Sequence, residues 1–306
     1  MQVTFSQYRD MKINNIRGNT YYIDTGRTYI PFYKVNENEV ILMDSGLANR
    51  EGRNIDKILE ESHFKVVGII CTHAHSDHVG NNDYFKRKYN SIIAMPSYEA
   101  LICSSLINLK SYYSNLTFEE TKESYSNMIC HTDILISEED SEVEICGIRF
   151  NIYHTPGHSA EHVCIITPDD VAYLGDCLIS YELMRASKLP YAYILSEDLK
   201  SKEKLYSLKS SIYIIAHKGT YEDISELIEA NIDFYKSKAN KIYEIIEDNM
   251  SQEDILEAVI REFNITINNR YKYALIERLT KSYIEYLSEQ KLISPILKGN
   301  RLVFIH

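Results

Sequence analysis

One short segment constrains this chain more than any other. The run Thr72-His73-Ala74-His75-Ser76-Asp77-His78 places three imidazoles and one carboxylate within six residues. It directly follows the apolar run KVVGIIC, which is typical of a strand buried on both faces. Such a pattern arises by chance with a probability of only about 6 × 10⁻⁴ in a chain of this composition. Because imidazole and carboxylate together suit Zn, Mn or Fe, the segment predicts a metal site at the end of a buried strand.

Three later motifs place a histidine or an aspartate where another apolar strand is predicted to end. They are Thr155-Pro156-Gly157-His158, Leu174-Gly175-Asp176 and Ala216-His217-Lys218-Gly219. Taken singly, each is more often structural than ligating. Together with the first cluster they supply seven nitrogen and oxygen donors, enough to hold two metal ions about 3.5–4 Å apart.

The four motifs, in this order, resemble those of the metallo-β-lactamase superfamily. The upstream VILMDSG, which ends in Asp44-Ser45-Gly46, fits the first motif of that family, and the resemblance covers roughly residues 15–235. It implies an α+β fold, a four-layer αββα sandwich with the metals at the edge of two packed sheets. It implies a first metal held by His73, His75 and His158. It also implies a second metal held by Asp77, His78 and His217, with Asp176 bridging the two.

The resemblance also implies a reaction. Two zinc ions, with manganese or iron as alternatives, would share a hydroxide that attacks a carbonyl or phosphoryl centre. Asp77 would orient this nucleophile and then carry a proton to the leaving group. The presence of His78 favours two metals over the single metal that some relatives keep.

Five other side chains near these motifs are weaker candidates for a role at the metal site. Cys177 follows the bridging position, and packing is the better interpretation of it than ligation. His162 either supports the site from outside the ligand shell or lies at the surface. We interpret His154 as structural, and His131 and Lys218 as solvated.

Several substrate classes and two other functions remain open. The leading hypothesis is an intracellular binuclear zinc hydrolase acting on a small ester, thioester or lactone. Glyoxalase II relatives usually carry His-Glu-Tyr where this chain has His217-Lys218-Gly219, so a glutathione thioester is in doubt. The first alternative is an iron-dependent sulfur oxygenase with one metal at His73, His158 and Asp176. The second is a nucleic-acid-associated protein.

The chain divides by character into three parts. We predict a catalytic domain over residues 1–235, with a lid-like insertion over 97–132 that interrupts an alternation of strands and helices. Residues 236–306 are predicted to form a helical, winged-helix-like module. Capping-box patterns at Thr220–Asp223 and Ser251–Asp254 predict two helix starts.

Tyrosines of the insertion and of the C-terminal part are candidate contact residues. We expect the insertion to bring three of them to the mouth of the site, namely Tyr112, Tyr113 and Tyr125. We expect the C-terminal module to serve in packing or self-association, with four tyrosines as anchors, namely Tyr271, Tyr273, Tyr283 and Tyr286. Residues 264–306 hold seven basic and three acidic side chains, a modest excess that argues against nucleic-acid binding.

Composition and the start of the chain indicate where in the cell the protein is expected to reside. The net charge is −11, and no apolar run approaches the ~20 residues that a membrane helix needs. The polar start of the chain shows no signal-peptide core, and the six cysteines lack CxxC spacing. We therefore expect a cytoplasmic protein with reduced thiols, no membrane contact and a small-molecule substrate.

Overall fold

The first of two large sheets is built by the N-terminal part of the chain. The computed structural model describes residues 11–48 and 50–306, so residues 1–10, which include part of the polar start, lie outside the described residues. Seven strands lie side by side in chain order: β1 (Lys12–Arg17), β2 (Thr20–Asp24), β3 (Tyr29–Lys34), β4 (Glu39–Met43), β5 (Lys65–Ile70), β6 (Ile92–Pro96) and β7 (Ile134–Ile136). The first four are antiparallel, whereas β4 to β7 run parallel.

The second sheet follows further along the chain. Its strands are β8 (Glu142–Ile145), β9 (Ile148–His154), β10 (Val163–Ile166), β11 (Val171–Tyr173), β12 (Ile212–Ile215) and β13 (Gly219–Tyr221). They lie in the order β13-β12-β11-β10-β9-β8, and only the β11–β12 pair is parallel. Thr220 lies in β13 and pairs with Ile214, so the helix start predicted at Thr220–Asp223 is wrong.

Helices cover both outer faces of the paired sheets. Residues of both sheets meet in an inner core that includes Met43, Ile70, Phe150 and Tyr173. Helices α1 (Arg50–Glu61), α2 (Ser76–Val79) and α3 (Asn82–Tyr89) belong to the first half of the sandwich, and α7 (Tyr181–Ala186) and α8 (Leu195–Lys204) to the second. The predicted α+β fold, a four-layer αββα sandwich, is confirmed.

The insertion over 97–132 is helical and packed. It forms α4 (Ser97–Cys103), α5 (Leu106–Tyr112) and α6 (Phe118–Tyr125). Thr117 and Glu120 form a complete capping box that starts α6. Tyr112 and Tyr125 are buried in the same apolar cluster as the outer face of the first sheet. The insertion is therefore anchored to the sandwich by its own apolar side chains.

The C-terminal part is mostly helical, as predicted. It consists of α9 (Ser225–Ile245), α10 (Gln252–Glu262), α11 (Arg270–Glu289) and a hairpin of β14 (Ser294–Lys298) and β15 (Arg301–Ile305). Ser251 and Asp254 form the predicted capping box. Helix α9 continues through the expected division at 235–236, and its side chains share one apolar cluster with the second sheet and α11. The division into two domains stays a prediction.

The expected self-association through this part also stays a prediction, but one of its four tyrosine anchors is buried. Tyr283 is fully buried in the apolar cluster, so it is not an exposed anchor. Tyr271 and Tyr273 are exposed.

The cysteines and the helices can be compared with the expectations for disulfides and for membrane spans. All six cysteines are unpaired and five of them are buried, which agrees with the expected core positions. Within the described ranges, no helix combines the length and the apolar character needed to cross a bilayer.

Candidate metal centre

The predicted site residues lie at one edge of the two sheets. His73, His75, Asp77 and His78 follow the end of β5. The other three follow strands of the second sheet: His158 comes after β9, Asp176 after β11 and His217 after β12. Because the strands end at a common edge, residues more than 140 positions apart in the chain come together there.

Three imidazoles form a first cluster. The Nε2 atom of His73 lies 2.8 Å from Nδ1 of His75, and Nε2 of His158 lies 3.1 Å from the same Nδ1. All three nitrogens fall within 4.8 Å of one another. Three convergent imidazoles are a common ligand set for a divalent metal.

A second cluster lies beside the first. One ligand atom each from Asp77, His78 and His217 falls within 4.8 Å of the others. Asp176 lies between the clusters: its Oδ2 is 3.4 Å from Nε2 of His158 and 3.3 Å from Nε2 of His217, while its Oδ1 is 3.5 Å from Nε2 of His78. Its carboxylate therefore touches both groups.

The chemistry of these residues fits bound cations. Burial lowers the pKa of His73 and of His158 well below the usual value, so both rings are neutral with a lone pair to share. The buried atoms Nε2 of His78 and Oδ1 of Asp176 have no hydrogen-bond partner among the described residues. Although burial opposes the shift, His217 and His78 lower the pKa of the Asp176 carboxyl well below its ordinary value, so it is an anion.

Asp44 holds in place, through hydrogen bonds, the loop that carries the candidate ligands His73 to His78. It adopts a positive φ of 64° directly after β4 and is fully buried. Its carboxylate accepts hydrogen bonds from the backbone N–H and the hydroxyl of Thr72 (2.7 and 2.8 Å) and from the Tyr173 hydroxyl (2.8 Å). The Nδ1 atom of His78 lies 2.8 Å from the same carboxylate, which leaves Nε2 of His78 facing the site.

His162 supports the site from the second sheet. It is fully buried, so the alternative of a surface position is wrong. Its Nε2 accepts a hydrogen bond from the backbone N–H of Asp176 (3.1 Å), and its Nδ1 lies 2.8 Å from the Thr155 hydroxyl. Gly175 has φ +51°, and a Cβ there would lie 2.6 Å from Nε2 of His162. His162 therefore fixes the backbone that presents Asp176.

The other four weak candidates belong to neither of the two clusters. The Cys177 thiol is buried beside that of Cys164 in the apolar cluster, as a packing residue would be. His154 lies 2.8 Å from the Asp140 carbonyl. The His131 side chain is 77% exposed, and Lys218 lies 3.5 Å from a carboxylate oxygen of Asp24.

Glu99 is a residue next to the candidate site that the sequence did not reveal. It belongs to α4 of the insertion and is fully buried. Its two carboxylate oxygens accept hydrogen bonds from the backbone N–H groups of Ala74 and Glu161, each at 2.9 Å. Ala74 lies between His73 and His75, and Glu161 follows His158. Glu99 therefore ties together the two loops of the first cluster.

The family is decided by comparison with known proteins. Residues 18–217 match the family described as the metallo-β-lactamase superfamily, which is well over half of the chain.

The chain belongs to the metallo-β-lactamase superfamily.

Named relatives and solved structures agree with this membership. The chain is 22% identical to the lactamase-like protein aptB of Emericella nidulans over 75% of its own length and 60% of that protein. It is 25% identical to the hydroxyacylglutathione hydrolase GloC of Haemophilus influenzae, over 66% of this chain and 90% of that protein. A metallo-β-lactamase family protein of Thermus thermophilus shares the fold with a TM-score of 0.68 at 18% identity, covering 97% of this chain and 98% of its own.

The expectation of a metal-dependent hydrolase is confirmed at the level of the superfamily. Both the recognised family and the relative from Haemophilus influenzae carry hydrolase names. The first-named relative is longer, and this chain spans less than two thirds of it.

A cavity of about 200 Å³ opens onto the candidate metal ligands. Its floor includes His75, Asp77, His158 and Asp176. Tyr113 and Tyr125 of the insertion line its wall, which confirms part of the expectation for the lid. Tyr112 does not line this cavity, because it is buried behind Tyr113 with the two rings 5.0 Å apart.

The opposite wall comes from helix α11, which the sequence did not connect with the site. This helix contributes Tyr271, Ala274, Leu275 and Arg278. Its expected role was packing or self-association. The structure shows that it also shapes the space in which a substrate would bind.

Proposed function

We propose that the protein is a binuclear zinc-dependent hydrolase that acts on a small ester, thioester or lactone. One observation carries this proposal: seven nitrogen and oxygen donors lie in two groups, and the Asp176 carboxylate touches both. A carboxylate shared by two ligand sets suits a two-metal hydrolytic site.

The proposed ligands form two sets of three, with one further residue shared between the sets. His73, His75 and His158 would hold one ion, and Asp77, His78 and His217 the other, with Asp176 between them. When bound, such ions lower the pKa of water and polarise the oxygen of a substrate carbonyl.

The protein's own groups supply the rest of the mechanism. Asp77 lines the cavity and is partly exposed, so its carboxylate can accept a proton from the attacking water and pass it to the leaving group. Asp44 and His162 keep the ligands in place through the hydrogen bonds described above. The tyrosine walls restrict bulk water and orient the acyl group.

The size of the cavity supports a small substrate. A volume of about 200 Å³ lies below the range of about 300–1,000 Å³ that is typical of small-molecule pockets. This favours a compact ester, thioester or lactone over a polynucleotide. The chain's free, mostly buried cysteines support the expected cytoplasmic setting.

An activity panel tests the proposal. Zinc-loaded protein is assayed with a 4-nitrophenyl ester, an acyl thioester, a lactone and bis(4-nitrophenyl) phosphate, before and after chelation. We expect hydrolysis of at least one carboxylic substrate, loss of that activity on chelation and recovery on adding zinc. Cleavage of the phosphodiester alone, or activity that survives complete metal removal, would contradict the proposal.

A further inference from the structure

The guanidinium of Arg278 lies in the wall of the cavity above the metal ligands. Three tyrosine rings surround it. The Cζ atom of the guanidinium is 4.4 Å from the ring centre of Tyr112, 5.3 Å from that of Tyr113 and 5.5 Å from that of Tyr193. Stacking of this kind holds an arginine in one orientation while leaving its N–H edge available.

Arg278 carries a charge with no counterion among the described residues. Two other arginines of the C-terminal part are paired, Arg270 with Glu120 and Arg301 with Asp254. Within residues 11–48 and 50–306, no carboxylate lies within 4.0 Å of the Arg278 guanidinium. One of its terminal nitrogens donates to the Tyr112 carbonyl, and the other, Nη1, is buried without a partner.

This arrangement is costly unless an anion completes it. An arginine stays protonated at any ordinary pH, and a largely desolvated charge is unfavourable without a partner. A free N–H edge of a guanidinium matches the two oxygens of a carboxylate or a phosphate. Arg278 lines the cavity, so a group that enters the cavity lies beside the guanidinium.

Tyr191 links this position to the metal ligands. Its ring packs edge-on against His75 with ring centres 4.9 Å apart, and its centre is 5.1 Å from that of His158. The Tyr191 hydroxyl lies beside the Arg278 guanidinium. An anion bound by Arg278 is therefore separated from the first cluster by about the width of one tyrosine, a span that a short acyl chain can bridge.

We propose that Arg278 binds an anionic group of the substrate, so that the protein prefers small esters or thioesters carrying a carboxylate or a phosphate. This inference rests on the proposed hydrolase function and names its substrate class. Tyr113, Tyr125 and Tyr271 pack against the apolar part of the same molecule. Arg278 is a binding residue in this account and takes no part in proton transfer.

The hydrolytic test uses a matched pair of substrates, mono-4-nitrophenyl succinate and the neutral 4-nitrophenyl butyrate. We expect wild-type protein to favour the charged ester. Arg278→Gln should lower the ratio of the two kcat/KM values about 10- to 100-fold, the effect of losing a charged hydrogen bond. Arg278→Lys should keep part of the preference. Lys281→Met, which removes a half-exposed cation from the same helix, should leave the ratio unchanged.

A purely structural role for Arg278 gives a different result. Because the side chain also joins α11 to the Tyr112 carbonyl, its loss could loosen the wall and slow both esters equally. An equal loss, with the ratio unchanged, would overturn the inference. The unfolding midpoint of each variant shows whether a loss of structure accompanies the change.

A binding experiment tests this inference independently of the proposed hydrolytic reaction. Zinc-loaded wild type, Arg278→Gln and Lys281→Met are titrated calorimetrically with benzoate, phenyl phosphate and neutral benzamide. Arg278-dependent binding of benzoate or phenyl phosphate supports the anion site even if neither ester is hydrolysed, and it identifies which anion is preferred. Anion binding that is equal in all three proteins would overturn the site, whether or not the protein is a hydrolase.

Discussion

Replacing Asp176 by alanine is expected to remove bound metal and hydrolytic activity together. Asp176 is the side chain that touches both clusters, through contacts of 3.3–3.5 Å with His158, His78 and His217. Loss of a residue that only supports a metal ligand costs about 10- to 100-fold in affinity or activity. We therefore expect Asp176→Ala to lower activity by more than about 100-fold, measured beside metal content by mass spectrometry.

The neighbouring residue provides the control. Cys177 is fully buried beside Cys164 in the apolar cluster. Cys177→Ser should therefore retain nearly full metal content and activity. Equal damage from the two substitutions would show that the ligands are assigned wrongly.

A large loss of stability is expected from Asp198→Ala. Asp198 and Lys202 form an ion pair of 2.5 Å inside α8, and both side chains are almost completely buried. The Lys202 ammonium also lies 4.3 Å from the centre of the Tyr235 ring. Removing one partner of a buried pair leaves an uncompensated charge, which costs about 3–5 kcal/mol. Urea denaturation of the zinc-loaded protein measures this change in the free energy of unfolding.

Two further variants isolate the cause. The same helix carries an exposed pair, Lys200 and Glu197 at 2.7 Å, so Lys200→Ala should leave the midpoint nearly unchanged. The double variant Asp198→Leu with Lys202→Met should recover most of the loss, because apolar residues can replace a buried pair without penalty. A cost for Asp198→Ala as small as that for Lys200→Ala would contradict the role of the buried pair.

The sequence predicted the sandwich and the convergence of the candidate ligands because their signals are local. A strand of the first sheet such as VILM reads as apolar on both faces, and each ligand motif follows its strand within a few residues. The position of Asp44 was predicted by its motif. Its four hydrogen-bond contacts depend on residues up to 129 positions away.

The residues that the sequence did not reveal act over long separations. Glu99 reaches backbone groups 25 and 62 positions away, and nothing in the local run SYEALIC marks it. Arg278 lies in a helix whose charge pattern reads as a solvated face. Its place in the cavity follows from how α11 packs against the insertion, which no periodicity encodes.

Local spacing also fails to separate a buried ion pair from an exposed one. Lys57 and Glu61 are four residues apart in α1 and are both mostly exposed. Asp198 and Lys202 have the same spacing in α8 and are buried. The difference comes from α9 and α11, which pack against α8.

The metal content of the purified protein tests the central claim most directly. We predict two zinc ions per chain, measured by mass spectrometry after incubation with excess zinc and desalting. His217→Ala should reduce this to one, because it removes a proposed ligand of only one ion, while His131→Ala, at an exposed histidine outside the clusters, should keep two. A single iron per chain in the wild type, unchanged by His217→Ala, would contradict the binuclear site and favour a mononuclear oxygenase.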